Sequence, residues 1–500
     1  MLYSGHVPFL LAALLTLIAF GPAASEPNVL VILTDDLGFG DVGAYNPQSQ
    51  IPTPHLDRLA SEGIRFTDAH APDGVCTPTR YGLLTGRYAW RTRLKRGVLR
   101  DSSPPLIAQE RLTLADMLAA KGYLTGAVGK WHLGYQWSLR NDSEPQTVAN
   151  VDWSKPLIDG PAQHGFSYSF GLAKPAWAFM EDGRILARPT QPFDLTYLPA
   201  YLMGPNNNKG TKAPGFEFER MLPRFTEEAV GFITRSAGAG KPWFLYFAPL
   251  APHRPVVPNK DFQGRSAAGR YGDFVGEVDW SVGEVLAAID RAGQTDDTLV
   301  IFTSDNGPET DAYRRMLEYR HTSMGPLRGV KRDLWEGGHR VPFLARWPGR
   351  VPAGSVQDEV LCLTDIMATM AAIVGFPLPE DAAEDSYDMS AALFRADLDS
   401  PVREATVHHS SRGWFAIRQG DWVLIDHPTG DSNSAGPNRE PAWFRAERQV
   451  PAHNQQVELF NLRDDPAQTT NRAQIDPERV RSMQRLLRRY QSEGRSVARH

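Results

Sequence analysis

Among its 500 residues the chain has only two cysteines, Cys76 and Cys362. One disulfide is therefore the most it can form, which excludes a small disulfide-stapled scaffold. Excess basic charge is missing as well: 53 Lys and Arg stand against 58 Asp and Glu, a net charge of -5. Nothing pulls the whole chain toward nucleic acid, so an anionic ligand needs a local basic site. After the first 25 residues no segment offers about 18 uncharged apolar side chains in a row, and no membrane span is expected there. Internal repeats and low-complexity tracts are absent, which excludes a solenoid.

What is present is an ordinary globular balance, 42% hydrophobic and 22% charged residues. The length suits one large domain plus a smaller one. Residues 7–20 form an apolar run that ends in Gly21-Pro22-Ala23-Ala24-Ser25. The run is shorter than a bilayer span and is followed by small residues, so residues 1–25 read as a secretory signal. No Lys or Arg precedes it, so only the amino terminus is positive, and a retained anchor is the alternative reading. An exported chain without a disulfide framework suits a bacterial periplasmic or secreted protein.

Continuous apolar runs at 29–33, 243–248 and 298–303, with a short one at 127–128, predict strands buried on both faces. Helical spacing predicts helices at 55–63, 113–122, 225–235 and 271–292. Strands alternating with helices predict an α/β domain over 26–375: a large, mostly parallel mixed sheet flanked by helices. Residues 140–225 break the alternation and are rich in Pro, Gly, Asn and aromatics, which predicts long loops over a cleft rim. Tyr168, Phe170, Trp177 and Phe179, with Lys174 nearby, are either a sugar platform or core residues. From 376 to 500 the pattern predicts a smaller subdomain, with antiparallel strands near 406–409, 414–418, 422–426 and 458–460 and a terminal helix at 477–490. The helix arginines Arg481, Arg485, Arg488 and Arg489 read as a solvated face.

The stretch Gly74-Val75-Cys76-Thr77-Pro78-Thr79-Arg80 carries the sharpest chemistry. Thr77 as N-cap, Pro78 at the first helical position and Gly86 as stop predict a short helix. A cysteine at its head sits where free N–H groups favour an anion, and Arg80 is placed to return a fork to that anion. On residues alone, a buried cysteine before an ordinary helix is the competing reading. Asp35-Asp36 and Asp305-Asn306 each follow a strand. Three carboxylates and an amide make a hard oxygen site for Ca2+, with Mg2+ second, although adjacent acids also form turns. Gly38-Phe39-Gly40-Asp41-Val42-Gly43 fits a dinucleotide fingerprint but is not followed by a helical pattern, so that reading is rejected. Lys130 and His132 sit in a Gly-flanked block, and His253 lies between two prolines in Pro252-His253-Arg254-Pro255. Taken singly, such histidines are more often structural.

Cys76-Thr77-Pro78-Thr79-Arg80 followed by Leu84-Thr85-Gly86 resembles the signature of the type I sulfatases. Asp35-Asp36, 129–134, 252–255, Ser304-Asp305-Asn306-Gly307 and Lys331 with Glu336-Gly337-Gly338 resemble the remaining blocks of that family, in family order. The likeness runs from about residue 27 to 470 and sets the chain in the wider alkaline-phosphatase-like group. It implies that a formylglycine-generating or anaerobic sulfatase-maturing enzyme converts Cys76 to formylglycine. It also implies one Ca2+ held by Asp35, Asp36, Asp305, Asn306 and the converted Cys76. The hydrated aldehyde would attack sulfur, expel the substrate alcohol and then release sulfate by collapse. His132 is the implied base for the collapse and His253 the implied acid. Arg80, Lys130 and Lys331 would balance sulfate charge. The implied substrate is a sulfated carbohydrate, with aryl sulfates as surrogates; no nucleic acid is implied. Two alternatives remain open at this point: a phosphatase or phosphodiesterase of the same group, or a non-catalytic binder of sulfated glycans if Cys76 stays a thiol.

Overall fold

The computed structural model describes residues 26–204, 208–434, 439–452 and 454–497. The predicted leader, 1–25, lies outside the described residues. A ten-stranded mixed sheet is the backbone of the molecule. Its centre is five parallel strands, in spatial order Thr298–Ser304, Asn28–Thr34, Trp243–Ala248, Leu124–Gly129 and Tyr168–Leu172. Phe343–Arg346, Ile64–Phe66 and Ser355–Gln357 extend it on one side; Phe179–Glu181 and Arg184–Ile185 extend it on the other. All seven residues of Asn28–Thr34 are buried, as are all six of Trp243–Ala248. Helices cover these strands, so apolar side chains on both faces leave water, worth about 1.5–3 kcal/mol for each Val, Leu, Ile or Phe. The helices Met221–Ala237 and Gly269–Arg291 pack together and lie where the helical spacing places them.

A separate four-stranded antiparallel sheet follows: Thr406–His409, Phe415–Gln419, Trp422–Ile425 and Glu458–Asn461. The helix Pro477–Ser492 packs on it through Met483, Leu487 and Tyr490 and leaves Arg481, Arg485, Arg488 and Arg489 exposed. Among the described residues no helix is long and apolar enough to cross a membrane.

Two expectations fail. Residues 140–225 are not loops alone, since Tyr168–Leu172 joins the central sheet and Gln191–Asp194 pairs with Lys209–Lys212. Strands of two to five residues punctuated by Gly and Pro carry too little periodicity to be read. The short helix starts earlier than expected. Cys76–Thr85 has extended Val75, not Thr77, at its N-cap. The Thr77 hydroxyl instead donates to the His132 carbonyl and accepts from the Leu99 N–H, so it is not free to cap. Gly86 ends the helix in a left-handed conformation, as expected.

Candidate active site

Two neighbouring strand tips and one helix head converge. Asn28–Thr34 runs into Asp35-Asp36 and Thr298–Ser304 into Asp305-Asn306, and the two strands pair in parallel up to Thr34 opposite Ser304. In-register parallel pairing is what sets four oxygen-bearing side chains side by side at the carboxyl end of the sheet. Cys76 Sγ and carboxylate oxygens of Asp35 and Asp305 all lie within 4.8 Å of one another. Asp36 and His132 hold left-handed backbone conformations, φ 65° and 55°. Non-glycine residues there cost about 1–3 kcal/mol each, which the packing around them must offset.

Arg80 ties the acids together. Its Nε and Nη2 donate to Asp305 Oδ2 at 3.1 and 2.7 Å, and Nη2 also donates to Asp35 Oδ2 at 3.2 Å. Nη1 donates to the Lys130 carbonyl at 3.0 Å and to the Tyr246 hydroxyl at 3.4 Å. All five guanidinium protons are spent and the side chain is fully buried. Where Arg80 was expected to face the anion, its donors here end on the carboxylates, the Lys130 carbonyl and Tyr246.

Lys130 Nζ pairs with Asp35 Oδ2, and Lys331 Nζ with Asp36 Oδ1 at 2.5 Å. Each ammonium keeps donors for a further oxygen. Lys130 turns inward because Gly129, at φ 112°, ends its strand where a Cβ would lie 2.1 Å from the Ala248 carbonyl oxygen. His253 Nε2 sits 3.9 Å from Asp36 Oδ2, and its Nδ1 bonds the Arg254 carbonyl at 2.6 Å. His132 Nε2 bonds the Leu99 carbonyl at 3.0 Å. A carbonyl only accepts, so Nε2 carries the proton and Nδ1, which has no partner, keeps its lone pair.

Electrostatics follow from this packing. Burial opposes the Asp35 charge, but Lys130, His253, Arg80 and Lys331 outweigh it and hold its carboxyl far below the usual range. Burial and the neighbouring Asp35 push Asp305 well up, with Arg80 opposing. Burial, then Lys130, pushes His132 down to about 3. Burial pushes His253 down to about 4, against the pull of Asp35 and Asp36.

The donor set fits a hard divalent cation. Asp35 Oδ1, Asp36 Oδ2 and Asn306 Oδ1 are buried oxygens with no hydrogen-bond donor among the described residues. Asn306 is oriented by donating Nδ2 to Asp36 Oδ1 at 2.8 Å, which turns its oxygen free. Orphaned oxygens from neighbouring strand tips are costly unless a cation meets them. Three carboxylates already face Arg80, Lys130 and Lys331. A divalent ion added to this balanced set leaves the cleft net positive, which favours an anionic sulfate group.

Cys76, Lys130, His132, His253 and Lys331 line one cleft of about 1130 Å³, with Lys174, Trp177, Glu309 and Arg332. Of the four aromatics, only Trp177 reaches it. Phe170 stacks on Phe179 and packs edge-on to Phe225, and the Tyr168 hydroxyl donates to Glu228. Motif reading missed Tyr246, whose hydroxyl supports Arg80 from inside an apolar strand, and Glu309, which grips Arg332 at 2.6 and 2.7 Å. A lone polar group in the run Trp243–Ala248 was the only available signal for Tyr246.

The sulfatase family model matches residues 27–376. The chain is 33% identical over 509 residues to N-acetylgalactosamine-6-O-sulfatase of Bacteroides thetaiotaomicron, covering 93% of each. It is 35% identical over 465 residues to human arylsulfatase A, covering 92% of this chain and 85% of that one. A solved Bacteroides thetaiotaomicron structure, from work on the metabolism of multiple glycosaminoglycans, superposes with a TM-score of 0.78 at 31% identity. That match covers 93% of this chain and 99% of the other.

Proposed function

Since the chain belongs to the type I sulfatase family and is a sulfuric ester hydrolase, we propose that it removes sulfate from sulfated carbohydrates, using formylglycine made from Cys76 and a bound Ca2+. The observation that carries this reading is the Cys76 side chain within 4.8 Å of Asp35 and Asp305 oxygens, in the cleft that also holds Lys130 and Lys331.

Asp35, Asp36, Asp305 and Asn306 would hold the ion, which would supply positive charge beside the sulfate group. Formylglycine at position 76 supplies, as its hydrate, an oxygen nucleophile for sulfur and a second hydroxyl that lets sulfate leave without a further water attack. Lys130 and Lys331 use their spare donors on the non-bridging oxygens. Arg80 keeps Asp35 and Asp305 in position. His132 accepts a proton at Nδ1, its only lone-pair nitrogen. His253 Nε2 faces the leaving oxygen. Burial keeps this ring neutral in the free cleft, and the negative charge of a bound sulfate favours the proton it must donate.

Support for a sugar substrate comes from the size of the cleft, from Trp177 on its wall, and from the N-acetylgalactosamine-6-O-sulfatase relative. Export after removal of residues 1–25, and maturation by a formylglycine-generating or anaerobic sulfatase-maturing enzyme, belong to the same reading. Mass measurement of the Cys76 peptide from active protein tests it: formylglycine makes the peptide about 18 Da lighter than cysteine. An unmodified thiol in active protein defeats the mechanism. On a panel of sulfated mono- and oligosaccharides, turnover of aryl sulfates alone defeats the sugar assignment. Chelation is expected to abolish turnover and Ca2+ to restore it better than Zn2+.

A further inference from the structure

Away from the cleft, three histidines from three elements meet in the interior. His70 ends the strand Ala69–His70, His339 ends the helix Glu336–His339, and His408 lies in Thr406–His409. All three are fully buried, and none lines the catalytic cleft. One ligand nitrogen from each lies within 4.8 Å of the others.

Proton counting sets them apart from ordinary core histidines. Asp68 Oδ1 is 2.6 Å from His70 Nε2. Arg418 Nη2 donates to Asp68 Oδ2 at 2.7 Å and Arg340 Nε lies 3.6 Å from Oδ1, two cations that hold the group as a carboxylate. A carboxylate only accepts, so His70 Nε2 carries a proton. The Leu334 carbonyl, 3.0 Å from His339 Nε2, also only accepts, so His339 is protonated there too. Their Nδ1 atoms then face each other across 3.1 Å, close enough to share one cation, a proton or a metal ion. Lone pairs that close repel unless a cation sits between them. An outer nitrogen given to a carboxylate or carbonyl, with the inner nitrogen free, is the arrangement metal-binding histidines adopt. Among the described residues His408 has no partner on either nitrogen, and Glu336 Oε1 beside His70 has none either.

We propose that this cluster is a second metal site, distinct from the oxygen cluster at the strand tips, taking a divalent transition ion of the zinc class on His70 Nδ1, His339 Nδ1 and His408. Tetrahedral Zn–N bonds of about 2.0–2.1 Å set ligand nitrogens about 3.3 Å apart, close to the observed pair. The His408 ring stacks on His339 at 4.0 Å and 13°, so it reaches the ion by turning about its Cβ–Cγ bond. No hydrogen bond to either ring nitrogen opposes that turn. Arg340 and Arg418 are answered by Asp68 and Glu336, so no unpaired cation repels the ion. The site would fasten the C-terminal sheet to the segment that leads into Cys76.

The test uses full-length protein, stripped with chelator, saturated with Ca2+ to fill the oxygen site, and titrated with Co2+ as a coloured stand-in for Zn2+. One Co2+ per chain with the visible spectrum of a tetrahedral nitrogen site is expected, displaced by Zn2+ and accompanied by a higher melting temperature. Cys76→Ser should keep that spectrum, and His408→Phe, which retains a stacking ring, should lose it. A wild-type titration without a tetrahedral spectrum overturns the proposal and leaves a shared proton between the two rings. So does a spectrum that vanishes in Cys76→Ser. Should His408→Phe not fold, the wild-type and Cys76→Ser titrations decide between these outcomes.

Discussion

Replacing Arg80 by lysine keeps the charge and removes the fork. Its five donors bridge Asp35, Asp305, the Lys130 carbonyl and Tyr246 in a fully buried place, and an ammonium reaches only part of that set. Arg80→Lys is expected to lose about 1–3 kcal/mol of stability, because buried carboxylate oxygens are left without a donor. Thermal melts check this, and an unchanged melt would show that Arg80 is not the tie. His132 acts at a different point. Its Nε2 is committed to Leu99, so only Nδ1 is available as a base. His132→Ala should lower kcat by about 10²- to 10⁴-fold. Formylglycine at position 76, checked by peptide mass, should be retained. A loss of activity traced to unconverted cysteine would assign His132 to maturation instead. Both residues were legible as motif members. Their hydrogen-bond commitments, which decide what each can do, were not, because the partners Asp305 and Leu99 come from other parts of the chain.

At the scale of elements, the long helix Gly269–Arg291 buries Glu277 with Oε2 accepting from the Asn259 N–H at 2.8 Å and Oε1 unpartnered. Burial raises its pKa from 4.5 to about 8. Below pH 4.5 the carboxyl is protonated in both the folded and unfolded chain. As pH rises the unfolded chain ionises first and binds fewer protons, so stability falls until the folded carboxyl ionises too, near pH 8. Glu277→Gln should flatten the dependence of melting temperature on pH across that window; an unchanged slope would place the loss elsewhere. Helix spacing located this element closely, 271–292 expected against Gly269–Arg291 found. The edge of the sheet was illegible by contrast. Short strands such as Phe179–Glu181 and Arg184–Ile185 take their conformation from pairing with a neighbour, a long-range effect that local pattern does not encode.

On the scale of the whole molecule, the C-terminal sheet is part of the wall behind the nucleophile. Gly74 N–H donates to the His409 carbonyl, His409 N–H donates to the Pro72 carbonyl, and the His409 ring meets Asp73 at 2.6 Å. Arg91 also pairs with Asp385 at 2.7 Å. Ending the chain at residue 375 removes these partners from the segment that presents Cys76. Such a truncation should give insoluble or inactive protein, as soluble yield and sulfate release would show; a soluble, active fragment would prove the catalytic part independent. Local pattern alone determined four of the five central strands, the main helices and the residue types that carry the chemistry. Each depends on side chains close in sequence: an apolar run, a helical spacing, adjacent acids after a strand. Tertiary structure decided that Asp35-Asp36 and Asp305-Asn306 meet, that Arg80 donates to the carboxylates, that Phe170 is core with Phe179 packed on it, and that His70, His339 and His408 share one interior. Those outcomes turn on strand order and on which donors are already spent, and both are properties of packing between distant segments.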